Sequence, residues 1–225
     1  MDSHQVEEEC AVIRERAHTA VSENRITIDP MWNREALGYN IHVLFDRPVA
    51  EAFAAVQQTL LALEPEALNV CPPETLHISV AWVLATLKTY PRDKDVLWQD
   101  IKDRSISELR SICSVIPPFK LVFRYLIATD SAVIAVAVDD GSVASIREQI
   151  ATGLPIPPET KNNARIIHTT LFRYRSTLRD PHRFLSAVDS LKIEILMTVQ
   201  QLFVRKETVY PSLQSEVEAT VPLGK

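Results

Sequence analysis

The chain has 225 residues, 46% hydrophobic and 24% charged, which is enough apolar material for a core that needs no metal or disulfide to hold it. Its formal charge of -5 argues against the broad basic surface of a protein that tracks along duplex nucleic acid, so any phosphate chemistry has to rest on a local basic patch. The three cysteines (Cys10, Cys71, Cys113) are scattered and form no CxxC, a pattern of free thiols in a reducing compartment. No apolar run approaches the ~20 residues of a membrane span, and the acidic start is unlike a secretory signal, so a cytoplasmic location is expected.

From about Gln5 to Glu23, apolar residues (Val6, Cys10, Ile13, Ala17, Val21) recur at helical spacing among charges. With the turn-rich stretch that follows, residues 1–35 read as an N-terminal helical extension ahead of a main domain over 36–225. Leu37 to Phe45 predicts a strand stopped by Asp46-Arg47-Pro48, and Ala50 to Leu63 an amphipathic helix. Cys71-Pro72-Pro73 is a rigid connector to a strand from Leu76 to Leu84. A helix ending near Val115 comes next, with Ser105 and Glu108 at capping-box spacing as a start within it. Lys120 to Ile127 and Ala132 to Val138 form a predicted hairpin around Thr129-Asp130-Ser131. A helix opens after Asp139-Asp140-Gly141-Ser142 and closes at Gly153. A strand from Arg165 to Tyr174, a helix capped by Asp180-Pro181, and strands near Ile193 to Val204 and Ser215 to Val221 complete the chain. The order implies an α+β or α/β protein.

Two of these strands carry one pattern, Thr75-Leu76-His77-Ile78-Ser79-Val80 and Ile166-Ile167-His168-Thr169-Thr170-Leu171. Only these two of the six histidines have a hydroxyl residue two positions later. Residues i and i+2 share a strand face, so His77 points with Ser79 and His168 with Thr170, while Leu76, Ile78 and Val80 point into a core. If the strands face each other across a cleft, two imidazoles and two hydroxyls converge. One neutral imidazole removes a proton from an attacking oxygen and the other, protonated, supplies one to the leaving oxygen. The hydroxyls of Ser79 and Thr170 donate to the non-bridging oxygens of the phosphate. Each motif taken singly is an ordinary strand pattern; the repetition in both halves of the chain is what points to a site.

Trp82, Tyr39, Phe172 and Tyr174 are candidates for stacking on a base. Regular alternation leans Trp82 toward the core and puts Phe172 and Tyr174 on the His168 face. The same alternation puts Arg173 on the opposite face unless a bulge turns it inward. Arg175, Arg179, His182 and Arg183 form the most basic stretch, either a rim around a phosphate or a solvated loop and helix face. His42 reads as a satisfied core or surface histidine; His4 and His18 carry no signal. Four glycines cannot build a phosphate-cradling loop or a dinucleotide fingerprint, and no zinc or serine-hydrolase motif is present.

The two patterns resemble the paired His-x-Ser/Thr motifs of the two-histidine phosphoesterase superfamily. This group includes bacterial 2'-5' RNA ligases, RNA cyclic phosphodiesterases and a nucleotide-binding domain of kinase-anchoring proteins. The resemblance runs from about Leu37 to Val221, and His168-Thr169-Thr170-Leu171-Phe172-Arg173 is similar to the ligase-like branch, where the arginine lies near the phosphate. The first motif departs from the usual form: Trp82 fills the aromatic place, but the glycine that normally follows is absent. The resemblance implies an α+β fold of two pseudo-symmetric lobes, antiparallel sheets lining a central cleft and helices outside. It implies no metal or cofactor, a catalytic set of His77, Ser79, His168 and Thr170, and Arg173 as an accessory. The expected activity is hydrolysis of a nucleoside 2',3'-cyclic phosphate or of an RNA end bearing one. The open alternatives are 2'-5' RNA ligation, cleavage of 3',5'-cyclic nucleotides, RNA 3' tails or 2'-5' oligonucleotides, and a non-catalytic nucleotide-binding module. The expected partner is a nucleotide or RNA end, neither membrane nor duplex, with the N-terminal extension as a surface for a partner protein.

Overall fold

Caps and prolines written in the sequence set many of the element ends in the computed structural model, which describes residues 3–162 and 164–224. In chain order these are α1 (Ser3–Ser22), β1 (Glu35–Leu44), α2 (Arg47–Leu61), β2 (Leu68–Val70), a 3-10 turn (Pro73–Thr75) and β3 (His77–Leu84). There follow α3 (Lys94–Ser114), β4 (Phe119–Ala128), β5 (Ala132–Val138), α4 (Ser142–Gly153), β6 (Ile167–Tyr174), α5 (Pro181–Ser190), β7 (Ile195–Val199), β8 (Gln201–Val209) and β9 (Gln214–Pro222). The Asp46 side chain caps α2 by accepting from the Val49 amide, and Asp180 caps α5 through the Arg183 amide. Asp93 does the same for α3 through Asp95 and Val96. The capping-box reading of Ser105 is therefore corrected: Ser105 lies 2% exposed in the interior of α3, eleven positions past a helix start set by Asp93.

Both sheets are antiparallel, with strand orders β3-β1-β8-β9 and β2-β6-β5-β4-β7. The architecture is α+β, with helices outside the two sheets and the motif strands β3 and β6 packed near one another where the sheets meet. The main core includes Phe53 of α2 edge-on to Phe123 of β4, ring centroids 4.9 Å apart, and Tyr39 of β1 stacked on Trp98 of α3 at 4.6 Å.

The second sheet is covered on both faces, which is why β5 is apolar along its whole length. Val133, Ala135 and Ala137 enter the main core, whereas Ala132, Ile134, Val136 and Val138 meet Val6 and Cys10 of α1 in a smaller one. Burial of a valine such as Val6 contributes about 1.5–3 kcal/mol. The segment after α1 is tied to the same lobe. Asn24 exchanges two side-chain hydrogen bonds with the backbone of Leu178, and the amides of Thr27 and Asp29 donate to the carbonyls of Asp130 and Tyr174. Among the described residues no helix is long and apolar enough to cross a membrane.

Candidate active site

Two matching bulges set the site. In the β1–β3 ladder His42 pairs with Ser79 and Ile41 with Ala81, so Val80 is an extra residue. In the β5–β6 ladder Ile134 pairs with Thr170 and Val133 with Phe172, so Leu171 is extra. Each bulge falls on the residue after the motif hydroxyl, and each resets the alternation of side chains beyond it. Trp82 therefore turns to the face of Ser79 and lines the cleft, against the lean toward the core read from regular alternation. Arg173 likewise turns to the face of Thr170.

The same bulge overturns the expectation for Phe172 and Tyr174. Both are fully buried at 0% exposure, and the Tyr174 hydroxyl donates to the Thr129 carbonyl at 3.0 Å, so neither offers a face to a base. Tyr39 is buried against Trp98 with its hydroxyl donated to Asp95 and is corrected in the same way. Of the aromatic candidates only Trp82 lines the cleft.

His77, Ser79, His168 and Thr170 all line one hollow of about 350 Å³, together with Arg173 and Trp82. Lys88 and Lys161 also line it and supply the local positive charge that the acidic composition requires. The downstream basic stretch lies elsewhere: Arg175 is paired with Glu66 at 3.0 Å, and Arg179, His182 and Arg183 lie outside the hollow. Among the described residues no group of three or more His, Cys, Asp or Glu side chains is placed to hold a metal ion.

The His77 ring donates from Nδ1 to the Thr75 carbonyl at 2.8 Å, since a carbonyl only accepts; Nε2 is then the nitrogen free for proton exchange. His168 stands in the equivalent relation to the Ile166 carbonyl, but its Nδ1 has no partner within hydrogen-bond geometry. Burial pushes both imidazoles down to about 4. The Arg205 guanidinium and His168 add to this for His77, and Arg147 and Arg173 add to it for His168. Both rings are neutral at pH 7 in the unliganded protein.

Three residues at the site escaped the sequence reading. His42, 1% exposed, stacks on His77 with centroids 4.0 Å apart, and its buried Nδ1 lacks a partner, so it is neither satisfied nor remote. Arg205 is buried beside Asn40 in the ladder, its Nε and Nη1 unpartnered. Arg147 of α4 bridges β3 and the segment that leads into β6, donating to the carbonyls of Ser79 (3.0 Å), Val80 (3.1 Å), Ala164 (3.3 Å) and Ile166 (3.3 Å). The hydroxyl rule that flagged His77 and His168 cannot see His42, and no local motif marks either arginine.

Three imidazoles, His42 buried and His77 and His168 half-buried at the cleft, have a consequence for stability. Their folded-state values lie below the 6.5 of an exposed histidine, so the unfolded chain binds protons first as pH falls. Stability is therefore full above pH 6.5 and is lost on acidification toward 4. A loss on the order of a few kcal/mol between pH 7 and pH 5 is expected. Urea unfolding at the two pH values checks it, and an unchanged midpoint contradicts it.

No family model and no curated protein matches the sequence. Solved structures do match its fold. The chain is similar to protein TT0787 of Thermus thermophilus at 16% identity and a TM-score of 0.61, covering 84% of this chain and 99% of that one. It is similar to Escherichia coli LigT complexed with 3'-AMP at 12% identity and a TM-score of 0.53, covering 85% and 99%. A conserved protein of unknown function from Agrobacterium tumefaciens matches at 14% identity and a TM-score of 0.58, covering 91% and 96%. The chain has the α+β fold of the two-histidine phosphoesterases.

Proposed function

We propose that the protein is a metal-independent phosphodiesterase that hydrolyses a nucleoside 2',3'-cyclic phosphate, or an RNA end bearing one, to a monoester. The observation that carries this reading is the meeting of His77, Ser79, His168 and Thr170, from distant parts of the chain, on one hollow with Arg173. The LigT structure with 3'-AMP, a nucleoside monophosphate, lends support from a protein of the same fold. In this reading the phosphate lies between the two imidazoles, with Arg173 and the two hydroxyls on its non-bridging oxygens. His168 takes a proton from water, the water oxygen bonds to phosphorus, and the bond to one ribose oxygen breaks. His77 delivers a proton to that oxygen. The division of roles follows the surroundings. At His168 the Arg147 and Arg173 guanidinium groups outweigh the Ile166 carbonyl and favour a neutral ring, whereas at His77 the bond to the Thr75 carbonyl outweighs the opposing Arg205. The bound phosphate, an anion, raises both rings from their unliganded values and lets His77 hold the proton.

Product analysis on nucleoside 2',3'-cyclic phosphates, run beside 3',5'-cyclic nucleotides and 2'-5' oligonucleotides with a chelator present, tests this. A single 2'- or 3'-monoester from the 2',3'-cyclic substrate is the expected result. Nucleotide binding by calorimetry with no product after long incubation, or turnover lost to the chelator, refutes it.

A further inference from the structure

α1 closes a second hollow against the same site. Ile13, Arg16 and Ala17 of the helix stand across from the β4–β5 turn, and the floor between them reaches His168, Thr170 and Arg173. Those three residues also line the first hollow, so the reacting position opens into two spaces. The helix is seated there by its own core of Val6 and Cys10 on Ile134 and Val136, and by Arg14, which donates to the Leu126 carbonyl at 3.2 Å. Arg16, two positions further along the helix, is exposed and makes no ion pair among the described residues.

We propose that the second hollow is a subsite for the nucleotide preceding the reacting terminus, with Arg16 receiving the linking phosphate, so that an oligonucleotide end is preferred to a mononucleotide. The inference rests on the reading above and adds the length of the substrate. A terminal ribose at the junction carries its 2',3' oxygens to the histidines, its base to the Trp82 side, and its 5' oxygen toward α1. The two branches of one nucleotide then need two spaces, and the linking phosphate needs a cation without a partner. Arg16 fits that requirement, since a guanidinium binds a phosphate through paired charge-assisted hydrogen bonds. Asp130, the acid on the facing turn, is exposed and placed to accept from a sugar hydroxyl.

The experiment compares kcat/KM for a nucleoside 2',3'-cyclic phosphate and for a dinucleotide ending in the same cyclic phosphate. The parent is expected to favour the dinucleotide by about tenfold, the worth of one such contact. Arg16→Glu is expected to abolish that preference while leaving the mononucleotide rate unchanged, and Arg16→Lys to keep most of it. Equal rates on the two substrates in the parent, or an equal fall on both in Arg16→Glu, overturns the subsite. Turnover of neither substrate by the parent instead defeats the underlying phosphodiesterase reading, and the subsite with it.

Discussion

Replacing His168 by alanine is expected to lower kcat by about 10²–10⁴-fold, the range of a lost general acid or base, and His77→Ala to do the same. Each ring is held at the cleft by the backbone of a sheet, so removing it leaves the ladders of β3 and β6 intact. The fold is expected to survive in both variants, with an unchanged circular dichroism spectrum. The double variant should be little worse than either single one, because two groups that move protons in one step act as a unit. Turnover by the double variant near the parental rate, on a substrate the parent hydrolyses, would falsify the assignment. A desolvated histidine also disfavours its own charge, so removing one ring is expected to shrink the stability lost between pH 7 and pH 5 relative to the parent. A loss of turnover accompanied by a weaker pH dependence of stability separates chemistry from misfolding.

Arg147→Ala should have the second largest effect, a fall in kcat of about 10²-fold, although Arg147 is a positioning residue that need not touch the substrate. The guanidinium donates both to β3 and to the segment running into β6, and one of its four acceptors is the carbonyl of Val80, the bulge residue. It holds His77 and His168 at a common spacing, and displacement by about 1 Å suffices for a loss of this size. Its removal also leaves carbonyls without a donor, and a stability loss of about 2–4 kcal/mol is expected. A purely structural role would stop there. Arg147 also presses the His168 imidazole downward, so the acidic limb of kcat/KM should move to higher pH in Arg147→Ala. Arg147→Lys keeps the charge but not the planar fork, and should restore the pH profile without restoring the rate. A pH profile in Arg147→Ala identical to the parent's would remove Arg147 from the site's electrostatics.

β5 was legible in the sequence because a run of seven apolar residues admits little else than a strand covered on both faces. The pairing of His77 with Ser79 and His168 with Thr170 was legible because two residues apart on a strand means one face. Beyond those hydroxyls the same rule failed in both motifs. It sent Trp82 inward and Phe172 and Tyr174 outward, and the structure reverses all three. Alternation is counted along one chain, whereas a bulge exists only relative to the strand alongside. Neither Val80 nor Leu171 differs from its neighbours in a way that announces the extra residue.

The same distinction covers the rest of the site. From its own order of residues the chain determined most of its helical segments, its cap at Asp180, its two motifs and the apolar stripe of α1. Those depend on periods of two or 3.6 residues and on groups within a turn of one another. Only the tertiary structure decided that α1 lies against the face bearing His168, that His42 stacks on His77, and that Arg147 ties β3 to the segment leading into β6. Those arrangements are set by which sheet faces meet when the core closes, and the energy that selects them is shared among residues that no local pattern connects.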